Sequence, residues 1–147
     1  MLSLPECHAA QVNGCRCLGL TPCASETALL LLQTIAFSMR FFPNSLSLQK
    51  AACHTMSVVL EQHNSAVSSY HVNAVMDSMR KWTMSRTLQH HGCLALCALS
   101  IVCAMENQEG MLPVLIAAAE NFPQECGRLA EACRANFLDC SLSNGDL

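Results

Sequence analysis

The sequence has little charge and few aromatic side chains. Of its 147 residues, 13% are charged and 5% aromatic, while 52% are hydrophobic; an average domain carries about 25% charged residues. Because polar surface is scarce, we expect part of the surface to be covered by a partner or by further structural units. The formal net charge of −3 does not favour nucleic-acid binding, which depends on clustered Lys and Arg.

Signatures of enzymes and of cofactor binding are also missing. The six glycines are scattered and form neither GxGxxG nor GxxxxGK[S/T], so no phosphate-binding loop is indicated. The kinase triplets HRD and DFG do not occur. No cysteine stands beside a motif typical of a nucleophilic enzyme. We therefore expect no catalytic activity and no cofactor.

The hydrophobic runs are too short for membrane spans, and no secretory signal is apparent. Residues 27–39 and 92–105 form the two longest candidates, and both fall short of the roughly 20 residues that a bilayer core requires. Eleven cysteines are an odd number, and many stand among Ala and Leu, which is typical of buried free thiols. These features predict an intracellular protein of the cytoplasm or nucleus.

What the sequence does contain is a repeat with a period of forty residues. Leu48-Gln49 recurs as Leu88-Gln89. A small residue followed by Cys occurs three times at the same spacing, and we expect these six residues to form a repeat core: Ala52, Cys53, Gly92, Cys93, Ala132 and Cys133. Ile35, Val75 and Leu115 also correspond, as do Ala36, Met76 and Ile116. Such a period is typical of stacked helical repeats, which share one continuous core.

Apolar periodicity and helix breakers divide the chain into elements. They predict helices at residues 28–41, 47–62, 72–81, 86–105, 111–121 and 124–138, with corners at 43–44, 82–85 and 122–123 and turns at 64–65 and 107–110. Residues 1–24 are interpreted as a Cys-rich leader or degenerate repeat, residues 25–138 as the repeats, and residues 139–147 as a flexible tail.

From residue 28 to residue 138 the pattern resembles armadillo repeats, with HEAT repeats as close relatives. The segment Leu48-Gln49-Lys50-Ala51-Ala52-Cys53 is similar to the start of the third armadillo helix. The resemblance implies an all-α, right-handed superhelix of about three stacked repeats. It also implies a non-catalytic scaffold that binds a partner helix or another helical repeat, with self-association possible. Related repeats occur as accessory regions in larger kinase-like and ubiquitin-ligase proteins.

The family's extended-peptide mode of binding is not expected here. In peptide-binding members the third helix carries an Asn that grips the peptide backbone. The matching positions in this chain hold Val58, Ala98 and Leu138. The surface is therefore expected to be apolar there, as suits a partner helix or another repeat.

One polar-aromatic concentration is the predicted partner-binding site. It consists of Tyr70, Arg80, Lys81, Trp82 and Arg86. Trp and Arg are favoured anchors at protein interfaces, although a Trp at a helix corner also commonly covers the core.

An alternative hypothesis is a zinc-binding or redox-sensing module. The weak metal candidates are Cys7, His8, Cys15, Cys17 and Cys23. Structural zinc sites favour paired CxxC spacing, whereas Cys15 and Cys17 form CxC. Redox sensing would require exposed thiols of low pKa.

Overall fold

The computed structural model describes residues 10, 12–14, 25–63, 67–102 and 108–143. These residues contain no strand, so the predicted all-α class is confirmed. They form six numbered helices: α1 (Ser25–Phe41), α2 (Leu46–Gln62), α3 (Ser69–Lys81), α4 (Arg86–Val102), α5 (Gln108–Asn121) and α6 (Pro123–Ser143). Within these ranges no helix is both long and apolar enough to cross a membrane.

Each predicted helix is present, and the differences lie at the ends. Helix α3 begins earlier than predicted because Ser68 precedes it as N-cap, and the Ser68 backbone N–H donates to His71 Nδ1 at 3.1 Å. Helix α6 continues to Ser143, where a tail from residue 139 was expected. No Gly or Pro interrupts residues 128–143, so nothing ends the helix sooner.

The predicted turn at residues 107–110 also differs from the structure. Helix α5 begins at Gln108, so Gly110 is helical and Pro113 lies beyond the first turn. The predicted turn at 64–65 lies outside the described residues.

The helices contact one another along two rows. The odd-numbered helices pack in the order α1, α3, α5, and the even-numbered helices in the order α2, α4, α6. Each odd-numbered helix also contacts the even-numbered helix that follows it. The core lies between the rows and includes Leu32, Met56, Val72, Leu96 and Leu115, each under 2% exposed. The helices therefore occur as three successive pairs, at the period found in the sequence.

A buried glutamine joins the two helices of the first pair. Gln49 is 1% exposed, and its Nε2 donates to the carbonyl oxygens of Met39 at 2.8 Å and Phe42 at 3.1 Å. Both carbonyls lie at the end of α1, where a helix leaves its last acceptors without intrahelical donors. Gln49 of α2 therefore donates hydrogen bonds to carbonyls at the end of α1.

The second pair repeats this arrangement, and the third does not. Gln89 Nε2 donates to the carbonyls of Met79 at 2.8 Å and Trp82 at 3.1 Å. In the third pair Leu129 occupies the glutamine position. There α6 starts at Pro123, directly after Phe122, whose carbonyl accepts from the backbone N–H of Cys126 at 2.8 Å. The corner of the third pair is therefore a single residue, against four residues in each of the first two pairs.

Close packing of α3 on α4 depends on Gly92. A Cβ at this position would lie 2.6 Å from both Cγ and Sδ of Met79. Met79 is itself 1% exposed, so it has little room to move. Gly92 therefore permits a helix approach that any larger residue would obstruct.

We predict that Gly92→Ala lowers the free energy of unfolding by about 1–3 kcal/mol, because the added methyl overpacks a filled core. Gly127→Ala in α6 is the matched control, since a Cβ there meets nothing within 4 Å. This control should be neutral or stabilising by up to about 1 kcal/mol, because Ala favours helix over Gly. Urea denaturation of both variants measures the difference. Equal effects would contradict the packing argument.

We also predict that Gln89→Met costs about 1–3 kcal/mol, because the Met79 carbonyl would stay buried without its side-chain donor. Gln33→Met makes the same chemical change on the exposed face of α1, where substitutions usually stay within about 0.5 kcal/mol. Thermal unfolding of the two variants in parallel is the measurement. Unchanged stability in Gln89→Met would show that the two hydrogen bonds are dispensable.

Candidate partner-binding surface

Three of the five predicted partner-binding residues meet in one groove at the corner between α3 and α4. This corner groove, of about 510 Å³, is lined by Lys81, Trp82 and Arg86. Helix α2 adds Leu46 and Lys50 to the same groove. Lys50 was not among the predicted residues, because only the contact between α2 and the corner brings it there.

The corner is shaped by its backbone hydrogen bonds. The N–H of Trp82 donates to the carbonyl of Ser78, and the N–H of Ser85 donates to the carbonyl of Trp82, both at 3.0 Å. This tight turn leaves Met84 80% exposed. Trp82 is half-buried and packs on the core. The groove thus combines an anchored aromatic ring with a freely exposed thioether side chain.

The groove is electropositive. Lys50, Lys81 and Arg86 line it, and they are three of the eight Lys and Arg residues in the chain. Lys81 donates to Asn44 Oδ1, and Arg86 pairs with Glu125 at 3.2 Å while its side chain stays 71% exposed. The Glu125 side chain is only 28% exposed, so a partner carboxylate would reach the exposed side of the guanidinium beside Glu125 rather than replace it.

The other two predicted residues lie elsewhere. Arg80 pairs with Asp77 at 3.4 Å within α3. Tyr70 stands in the first turn of α3, at the opposite end from Trp82, where the Arg40 guanidinium lies 4.9 Å from its ring centroid. We grouped Tyr70 and Arg80 with the corner because they are close to it in sequence. In the structure, the length of α3 separates Tyr70 from the corner.

Helix α1 carries an aromatic face that was not predicted from the sequence. Leu30, Phe37 and Phe41 are 61–65% exposed, and the Phe37 and Phe41 rings stack with centroids 5.9 Å apart. The available signal was their helical spacing on the side opposite the core stripe. In the second repeat Asp77 and Lys81 replace the two phenylalanines. The aromatic face is therefore particular to α1 and not a property of the repeat.

The third repeat departs from the expected burial. Ile116 is 53% exposed, whereas the corresponding Ala36 and Met76 are buried. Ala132 is exposed as well, although we expected it in a tight interface with Ala52 and Gly92. The reason is positional: α4 packs on one side of α6, and none of the described helices follows α6 to cover the other. Of the remaining predicted core residues, Ala52, Cys53, Gly92, Cys93 and Cys133 are all buried.

Three histidines cluster where α2 meets α4. The ring centroid of His91 lies 4.6 Å from that of His54 and 5.5 Å from that of His90. His90 Nδ1 donates to the carbonyl of Glu125 at 3.2 Å. Burial, and then the positive charges that His54 and His90 can carry, lower the pKa of His91 to about 4.

The lowered pKa of His91 predicts that the folded chain loses stability in acid. Because the unfolded chain binds this proton near pH 6.5 and the folded chain near pH 4, stability falls as pH drops through that interval. His91→Gln should reduce the loss of melting temperature between those pH values. His54→Gln should reduce it less, since it removes a lesser cause of the shift. An unchanged pH profile in His91→Gln would contradict this account.

No metal centre can be assigned within the part of the chain that the structure describes. That part contains no group of three or more His, Cys, Asp or Glu side chains that could hold an ion. The weak candidates Cys7, His8, Cys15, Cys17 and Cys23 lie outside it.

Comparison with known proteins identified no relative. No protein-family model, no curated protein and no solved structure matches the chain.

Proposed function

We propose that this chain is a non-catalytic protein-interaction module, and that its corner groove binds an acidic segment of a partner protein. The observation that carries the proposal is the groove itself. Three cations line the same groove as Trp82 and the exposed Met84. A partner carboxylate would pair with the cations while an apolar neighbour packs on the ring and the thioether.

The composition of the chain supports binding rather than catalysis. Only 13% of residues are charged, and yet three cations line a single groove. The exposed aromatic face of α1 adds apolar surface of the kind that marks interaction sites. A scaffold of packed helix pairs also holds the corner rigid, which lowers the conformational cost of binding.

For the architecture we propose an armadillo-like or HEAT-like stack of three repeats. The recurrence of the glutamine hydrogen bonds after forty residues, at the same two distances, supports it. Each described repeat contributes two helices, as HEAT units do. Such a stack can also form part of a larger repeat-containing or signalling protein.

We predict that selection of displayed random peptides on the chain enriches sequences in which Asp or Glu flanks a bulky apolar residue. The selected peptides should bind Lys50→Gln/Arg86→Gln at least about tenfold more weakly, a loss of about 1.4 kcal/mol. Their affinity for the unmodified chain should also fall as salt rises. Titration of fluorescent peptide measures both effects. Trp82 is left intact because its ring packs on the core.

Arg128→Gln/Arg134→Gln is the matched control, since it removes two exposed cations of α6 outside the groove. It should leave peptide affinity unchanged, and circular dichroism should show native helicity in both variants. Equal weakening by the control would indicate a general charge effect. Enrichment of peptides without acidic residues would refute the proposed recognition.

A further inference from the structure

Helices α4 and α6 lie side by side in a defined register. Near their N-terminal ends, His90 Nδ1 donates to the carbonyl of Glu125 at 3.2 Å. Further along, Asn136 Nδ2 donates to Ser100 Oγ at 3.1 Å. Two contacts with nearly the same sequence offset indicate that the helices run in the same direction. Residues between these contacts are therefore held opposite one another.

Two pairs of cysteines face each other along this interface. The register places Cys97 of α4 opposite Cys133 of α6, one turn before the contact of Ser100 with Asn136, and the two thiols are close enough to change each other's pKa. Cys93 of α4 likewise lies near Cys126 of α6. All four are free thiols. Opposed thiols form a disulfide when their sulfurs can approach to about 2.05 Å and their Cα atoms lie about 4.4–6.8 Å apart.

The two pairs differ in access and in acidity. Cys93 and Cys126 are each 0% exposed, and burial raises the pKa of both. Cys97 is half-buried, and hydrogen bonding with Cys133 lowers its pKa to about 7. Cys133 is buried and its pKa is raised, chiefly because its proton bonds to Cys97. One pair therefore combines an accessible nucleophile with a shielded second thiol, and the other does not.

We propose that Cys97 and Cys133 are a redox-active pair that a hydroperoxide converts into a disulfide between α4 and α6. The Cys97 thiolate attacks one peroxide oxygen, the O–O bond breaks, and the leaving oxygen takes up a proton as water or alcohol. This step leaves a sulfenic acid on Cys97. The Cys133 sulfur then attacks the Cys97 sulfur, the S–O bond breaks, and the departing hydroxide takes the Cys133 proton as water. Two electrons pass from the thiols to the peroxide.

The disulfide would link α6 covalently to α4. It closes the loop from residue 97 to residue 133, which contains all of α5. Such a cross-link restricts the unfolded chain and so favours the folded one. Oxidation would thus stabilise the third repeat, and reduction would reverse the effect.

The test is disulfide mapping of the unmodified chain after stoichiometric hydrogen peroxide at pH 7. Trypsin with a glutamate-specific protease leaves Cys97 in residues 87–106, Cys126 in residues 126–128 and Cys133 in residues 132–134. We expect residues 132–134 linked to 87–106, with fragmentation placing the bond at Cys97. The melting temperature should rise and return on reduction with dithiothreitol. Linkage of Cys133 to another cysteine, or overoxidation of Cys97 with Cys133 still free, would overturn the proposal.

Two variants separate the roles of the thiols. In Cys133→Ser the sulfenic acid of Cys97 should persist and be trapped by dimedone, whereas in Cys97→Ser no disulfide of Cys133 should form. Cys93→Ser is the matched control, since it removes the neighbouring pair from the same interface and should leave the Cys97–Cys133 bond unchanged. Disulfide formation in Cys97→Ser at the original rate would also overturn the proposal. If a variant does not fold, the disulfide mapping of the unmodified chain by itself tests the proposal.

Discussion

The arrangement of the helices depends on one buried hydrogen-bonding group in each of the first two repeats. Gln49 and Gln89 each satisfy two carbonyls at the end of the preceding helix. A buried carbonyl without a donor is costly, so these amides fix how each helix pair meets at its corner. The corner groove follows from this constraint, because Gln89 holds the carbonyl of Trp82 and thereby positions the turn that carries Met84 and leads to Arg86.

Small side chains are the second constraint. Gly92 lets α4 approach Met79, and buried cysteines occupy several other close contacts. A thiol serves as a small apolar side chain in such a contact, but it keeps its chemistry. Where the same packing places two thiols together and leaves one of them only half-buried, a packing residue keeps access to solvent. The environment of Cys97 therefore differs from that of Cys53, whose pKa is raised to about 12 by burial.

The three helix pairs differ at their surfaces, whereas their interior pattern is largely shared. Phe37 of α1 corresponds to Asp77 and Ala117, so one structural position is aromatic, acidic or small. The third helix pair has Leu129 in place of the glutamine, a one-residue corner, and exposed side chains at Ile116 and Ala132. Specific recognition is therefore expected at positions that differ between repeats, since the shared positions are occupied by packing.

The sequence by itself determined the helices, their pairing and the period, because apolar spacing and corner residues act locally along the chain. It also indicated Lys81, Trp82 and Arg86, which are close in sequence and meet at one turn. It did not indicate Lys50, the aromatic face of α1 or the opposition of Cys97 and Cys133. These depend on which helices become neighbours and in what register, a choice made by packing between residues about forty positions apart. Only the tertiary structure decided them, because a periodic pattern specifies which face is buried but not what that face meets.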